Sequence, residues 1–250
     1  MGIEQKITDL QKTSAEQTAA SQALSQEVAG KMGEIDKNVK ESKAKVDGYL
    51  ASARSENAIY RQSRNQSGML TDGNLDFFSK NSKFAINVSL YRTISSGIEW
   101  NARDSEEQEI LTSMGMKNYK HFQPQIRVMK LEWDGFLPSD HSSHSIYPNP
   151  IGNGSGTLTI GSYAKLISGS IRGWWLNGIN SEWGICGQNS QGKPGRYIHA
   201  YPYVQSAAGE VLFIWPGIVS GHITIDRASP QWGFWPCIYE DSSYGAKVGG

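Results

Sequence analysis

The tightest group of chemistry-bearing residues in this sequence is Asp140-His141-Ser142-Ser143-His144. Two histidines three apart beside an aspartate are ligand types that zinc or iron accepts, yet a structural zinc site takes four ligands at recognisable spacing. An exposed polar loop is the commoner meaning of such a run, so neither metal nor cofactor is expected. His141 and His144 remain the most suggestive metal candidates, because a histidine on a threefold axis would be repeated three times.

Glycoside hydrolysis needs two carboxyl groups at a set separation. Asp134, Glu182, Asp226, Glu240 and Asp241 could supply them, but scattered acids of this kind are ordinary in any domain. Gly152-Asn153-Gly154-Ser155-Gly156 lacks the Lys-Ser/Thr ending and following helix of a phosphate loop, and reads as a flexible loop. The sequence contains no G-x-S-x-G elbow, H-E-x-x-H pair or dinucleotide fingerprint. No residue is expected to be catalytic.

The aromatic residues say more. Trp174, Trp175, Trp183, Tyr197, Tyr201, Tyr203, Trp215, Trp232, Trp235 and Tyr239 crowd one region. In a strand, Trp174 and Trp175 would face opposite ways, and Tyr197, Tyr201 and Tyr203 would share one face. Aromatic bodies with polar edges suit sugar stacking or protein contact as well as a core. Loops carry recognition more often than strands do. The expected receptor-binding residues are therefore Tyr147, Asn149, Asn153, Trp183, Asn189, Gln191 and Tyr244, with the His141/His144 loop beside them.

The elements that must position these residues fall into two kinds. All nine prolines lie at or beyond Pro124 and all eight tryptophans at or beyond Trp100, so the first 60 residues are a different kind of polymer. From Ile3 to about Ala58 it is rich in helix formers. Ile3, Ile7, Leu10, Ser14, Gln17, Ser21, Leu24 and Val28 recur at alternating four and three, the 3.5-residue period of a left-handed coiled coil. An extra four-residue step from Val28 to Met32, bracketed by Gly30 and Gly33, is a stutter. The period resumes through Ile35, Val39, Ser42, Val46, Tyr49 and Ala53. A single such helix buries little and is marginal, so partners are expected.

Arg61–Gly68 carries no apolar repeat and reads as the end of the stalk. Thr71-Asp72-Gly73-Asn74 is a turn signal, and Leu75-Asp76-Phe77-Phe78 an apolar plug that would seat the stalk. The expected organisation is a coiled-coil stalk over 1–60, a transition over 61–83 and a β-rich head over 84–250. Candidate strands are Phe84–Ile94, Gln125–Trp133, Gly156–Ile160, Ala164–Ile167, Ile171–Leu176, Arg196–Tyr203, Val211–Val219, Gly221–Asp226 and Trp235–Tyr239, with one short helix in Ser105–Met116. Many short strands between turn signals predict an all-β head of sandwich or barrel type, large enough to bury its own core.

The bulk numbers bound the partners. Across 250 residues, 24 basic and 24 acidic side chains cancel, which argues against nucleic-acid binding by a field of excess positive charge. The stalk is balanced by itself, nine acidic against eight basic residues through Tyr60, as interchain pairing requires. No apolar run reaches the length of a membrane span, and the N-terminus lacks a secretory pattern, so no membrane insertion is expected. Cys186 and Cys237 alone cannot build a disulfide framework, and two free thiols are expected.

An imperfect N-terminal coiled coil (Ile3 to Ala53), a transition at Met69-Leu70-Thr71-Asp72-Gly73-Asn74 and a strand-rich end through Trp232-Gly233-Phe234-Trp235-Pro236 together resemble bacteriophage tail-fibre and receptor-binding proteins. The likeness is one of organisation over the full length, with no short diagnostic motif and none of the H-x-H repeats of some fibre tips. It implies a homotrimer made in the host cytoplasm and mounted on the virion tail through the N-terminal part, against other tail proteins. The β head would meet a bacterial surface glycan or outer-membrane protein. Two other functions fit the same organisation: a tailspike-like polysaccharide depolymerase, and a structural tail connector or needle-like part.

Overall fold

A computed structural model of the chain describes residues 2–56, 59–140, 143–148, 151–153, 156–191, 196–198 and 200–238. The chain divides into two units, Met1–Ala58 and Ile59–Gly250. The fold is mixed: one long N-terminal helix, then several antiparallel sheets.

The first unit is helix α1, Ile3–Glu56. Its large apolar side chains with a described environment, Ile3, Ile7, Leu10, Leu24, Val28, Met32, Ile35, Val39, Val46 and Tyr49, are 49–77% exposed, so none is buried within one chain. All ten stand at the positions that the 3.5-residue period marks. A soluble helix ordinarily hides such a stripe against a core.

The second unit is organised by a five-stranded antiparallel sheet. Its strands are β1 (Ala85–Ile94), β2 (Ile126–Asp134), β3 (Thr157–Ser168), β4 (Gly184–Gln191) and β5 (Gly209–Ser220), in the order β4-β3-β5-β2-β1. The near-continuous apolar run of β5 reflects burial on both faces, as expected of a central strand. Val211 and Phe213 join one core, while Leu212 and Ile214 join another on the opposite side. Gly209 sits opposite Trp133, and a Cβ there would meet the indole at 2.1 Å, so glycine is what lets that ring lie across the strand.

One core is closed by short ribbons, to which Ile146, Ile171, Ile198 and Val204 contribute, and by Trp175 and Leu176 of a 3₁₀ turn, Trp174–Leu176. The other is closed by helix α2 (Ser105–Ser113), through Ile110 and Leu111, and by Trp232 from the C-terminal segment. Asp104 caps α2 by accepting from the Glu107 backbone N–H at 2.8 Å. The second unit is therefore not all-β. The acidic start and apolar close of Ser105–Met116 had pointed to this helix.

Several strand expectations need correction. Gly156–Ile160 and Ala164–Ile167 are parts of one strand, β3, which crosses Gly161 without a break. Ile171–Leu176 is a two-residue strand, Ile171–Arg172, followed by the 3₁₀ turn. Trp175 consequently enters the core at 1% exposure, with Trp174 half-buried. Arg196–Tyr203 splits into Arg196–Ile198 and Tyr203–Val204, with Ala200 between them at φ 52°. Gly221–Asp226 forms no strand, because its backbone is held by a side chain: Ile223 N–H donates to Thr159 Oγ1 at 2.8 Å, and that hydroxyl donates to the Gly221 carbonyl. The described part of Trp235–Tyr239 makes a single bridge, Cys237 to Arg61.

The stretch 61–83, read from sequence as a transition, lies inside the second unit. Arg61, Ser63, Asn65, Gln66 and Ser67 are buried despite their polarity. Arg61, Ser63 and Gln66 are held by groups distant in sequence. Arg61 N–H donates to the Pro236 carbonyl, and the guanidinium stacks 5.0 Å from the Phe234 ring centre. Ser63 Oγ accepts from Ile218 N–H at 2.9 Å, and the Gln66 amide donates to Gly233 O while accepting from Trp235 N–H. The turn at Thr71-Asp72-Gly73-Asn74 closes a two-residue hairpin, Leu70–Thr71 with Asn74–Leu75. Asp72 and Gly73, at φ 50° and 72°, have the two left-handed residues of a type I′ turn. Leu75 is in the core and Phe78 packs against it, so the apolar plug seats within the β unit.

Candidate recognition surface

The segment 143–148 runs between two others. On one side Ile146–Pro148 pairs antiparallel with Phe78–Lys80. On the other, His144 bridges Tyr203, Ser145 N–H donates to the Pro202 carbonyl at 3.0 Å, and Val204 N–H donates to the Ser143 carbonyl at 2.9 Å. Tyr203–Val204 pairs in turn with Ile171–Arg172. Alternation then sorts the side chains. Ile146 and Val204 enter the core, while the neighbouring Tyr147 and Tyr203 remain partly exposed.

This pairing gathers four rings. His144 lies 5.4 Å from Tyr147 and 5.1 Å from Tyr201, centre to centre; Tyr147 lies 5.6 Å from Tyr201, and Tyr201 5.3 Å from Tyr203. Three of the four contacts are edge-to-face, the arrangement that aromatic quadrupoles favour. All four residues are half-buried, so the rings pack on one another while still meeting solvent. Rings fixed in this way offer flat apolar faces with polar rims, which suits a sugar or a protein surface.

The expected site residues do not converge. Tyr147 and His144 belong to the ring cluster. Trp183 is buried at 6% exposure in the core beside Ile185 and its indole N–H meets no acceptor, so its ring is not offered to a receptor. It immediately precedes β4, at the start of the buried run 183–187, where packing outweighs the polar edge of the ring. Asn189 is exposed farther along β4, with its side-chain amide 2.7 Å from the Thr159 hydroxyl. Asn153 pairs through its backbone with Arg196, and Gln191 with Thr157; their side chains lie outside the described residues. Asn149, His141 and Tyr244 also lie outside them.

Tyr201 and Tyr203 were absent from the expected contact residues. Their shared parity was legible, and their meeting with His144 was not. Among the described residues, no three His, Cys, Asp or Glu side chains gather as metal ligands, and His144 is faced by tyrosine rings.

A concavity of about 490 Å³ lies where β1, β2 and β5 meet, lined by residues that include Asn87, Glu132, Asp134 and Glu210. Of the three described acids considered for hydrolysis, Asp134, Glu182 and Asp226, Asp134 alone lines it. Glu210 stands opposite Glu132 across the strands. The Lys130 ammonium, 2.8 Å from Glu132, and then the Asn87 amide hold the Glu132 carboxyl below the usual range. That keeps Glu132 ionised, whereas a general acid must hold its proton near neutral pH. Glu182 is exposed, and Asp226 accepts from Ala228 N–H in a turn; Glu240 and Asp241 lie outside the described residues.

Cys186 and Cys237 are free thiols. No protein-family model matches the sequence, and no curated protein matches it.

Proposed function

We propose that this chain is an attachment protein of a bacteriophage tail, a fibre or tail-tip component that recognises a bacterial surface glycan or outer-membrane protein without catalysis. Its α1 helices associate as a trimeric coiled coil that also meets other tail proteins, and its β unit, of sandwich-like construction, carries the receptor contact. The observation that supports recognition is the partly exposed cluster of His144, Tyr147, Tyr201 and Tyr203, held between two ribbon pairings. The unburied seam of α1 supports assembly. Three copies of a shallow site on one assembly gain avidity through effective concentration, so each site can be weak.

The test is binding of the full-length chain to a panel of bacterial cells, with solution mass measured on the same preparation. The reading expects a trimer that binds at least one strain, and Tyr147→Ala with Tyr201→Ala to weaken that binding about tenfold or more, roughly one to two lost aromatic contacts. A monomer, or an absence of binding to every strain, overturns it. Binding to tail proteins with none to cells would favour the connector function instead.

A further inference from the structure

The seam of α1 is not uniform. From Leu24 to Tyr49 its positions are Leu24, Val28, Met32, Ile35, Val39, Ser42, Val46 and Tyr49, apolar at all but one, and these apolar side chains are 49–73% exposed. Toward the N-terminus the seam holds Ile3, Ile7 and Leu10, then three consecutive polar layers, Ser14, Gln17 and Ser21.

We infer that self-association is confined to Leu24–Tyr49, where the occupant of the exposed stripe is the same stripe of further copies of this chain, in register and parallel. This rests on the trimeric reading above and deepens it by naming the contact. Burying a large aliphatic side chain removes about 60–120 Å² of apolar surface. Seven of them give about 400–800 Å² per chain, which approaches the roughly 800 Å² per partner of a stable interface. Ile3, Ile7 and Leu10 give only about 200–350 Å² and fall short.

Charge points the same way. Of the three flanking pairs along the apolar stretch, Lys31/Asp36, Asn38/Lys43 and Lys45/Leu50, the first joins opposite charges five residues apart, the spacing at which charges on neighbouring parallel chains face each other. At the equivalent flanking positions of the N-terminal half, Lys6 would face Gln11 and Thr13 would face Thr18, so no ion pair forms.

Two double variants of the full chain test this by sedimentation equilibrium. Ile35→Asp with Val39→Asp should weaken association about 100-fold or more, and Ile7→Asp with Leu10→Asp should leave the mass unchanged. All eight tryptophans lie outside α1, so an unaltered tryptophan emission spectrum shows that the β unit is folded in both. Dissociation by the Ile7/Leu10 pair, or persistence of the oligomer in the Ile35/Val39 pair, overturns the inference while leaving a trimer in place. A monomeric unmodified chain overturns the trimeric reading itself.

Discussion

Trp232 donates its indole N–H to the backbone carbonyl of Trp215 at 2.9 Å, and that bond closes the C-terminal segment over the central sheet. Trp215 lies at φ 50°, within an irregular stretch of β5 where the register shifts between Ile214 and Gly217. The break in the ladder turns a strand carbonyl toward groups outside the sheet, and Gln66 donates to the same oxygen at 3.3 Å. Tyr163 adds its own bond from the other side, donating to the Trp232 carbonyl.

Replacing Trp232 with Phe should therefore destabilise the β unit by about 0.5–1.5 kcal/mol, the net worth of one hydrogen bond, because Gln66 still donates to the Trp215 carbonyl. Trp232→Ala should cost about 3–5 kcal/mol, because it also leaves a cavity. Urea unfolding followed by the remaining tryptophans measures both. Equal midpoints for the Phe variant and the unmodified chain would show that the bond contributes nothing.

Asp104 joins helix capping to a bidentate pair with Arg92, at 3.0 Å for both nitrogens. The Arg92 hydrogen bonds, and then the Glu107 backbone N–H, hold the Asp104 carboxyl below its ordinary range. A depressed folded value means that the contribution is whole above the unfolded pKa of about 3.9 and is lost as pH falls through the lower folded value. Asp104→Ala should cost about 1 kcal/mol near neutral pH, chiefly as a lost cap since the pair is largely exposed. The gap between variant and unmodified midpoints should close below about pH 4, and a gap that is constant with pH would refute the electrostatic part.

Burial pushes the Cys186 thiol up to about 11, against a smaller opposing effect of Arg227, which reaches its sulfur at 3.6 Å. A raised folded value favours the protonated form, so its contribution to stability is whole below the unfolded pKa of about 8.5 and is lost as pH rises through the folded value. At neutral pH a thiol reagent should modify the half-buried Cys237 first and reach Cys186 only on unfolding. A Cys237→Ser variant that still reacts promptly in its native state would contradict this.

Much of the architecture was readable because it depends on short-range pattern. The 3.5-residue period from Ile3 marks the stripe of α1, and Asp72-Gly73 marks a hairpin, since both are consequences of local geometry. Strands β1, β2 and β5 fell within one or two residues of their expected bounds because their apolar runs are long. Arg61–Ser67 was unreadable for the opposite reason. Polar residues signal solvent exposure unless partners are supplied, and here the partners, Ile218 and Gly233 to Pro236, come from more than 150 residues away.

The recognition surface divides in the same way. Sequence alone determined that Tyr201 and Tyr203 share parity, because a strand repeats every two residues, whereas Tyr147 was expected on a loop and stands in the short strand Ile146–Pro148. Only the tertiary structure decided that these rings meet, since the pairing of His144 with Tyr203 joins segments with no local signal for each other. The same distinction removed Trp183 from the surface: its type allows either a core or an interface, and the choice belongs to the core cluster it joins, which includes Tyr163, Ile185 and Trp232. Local periodicity says which way a side chain turns, and long-range pairing decides what it turns toward.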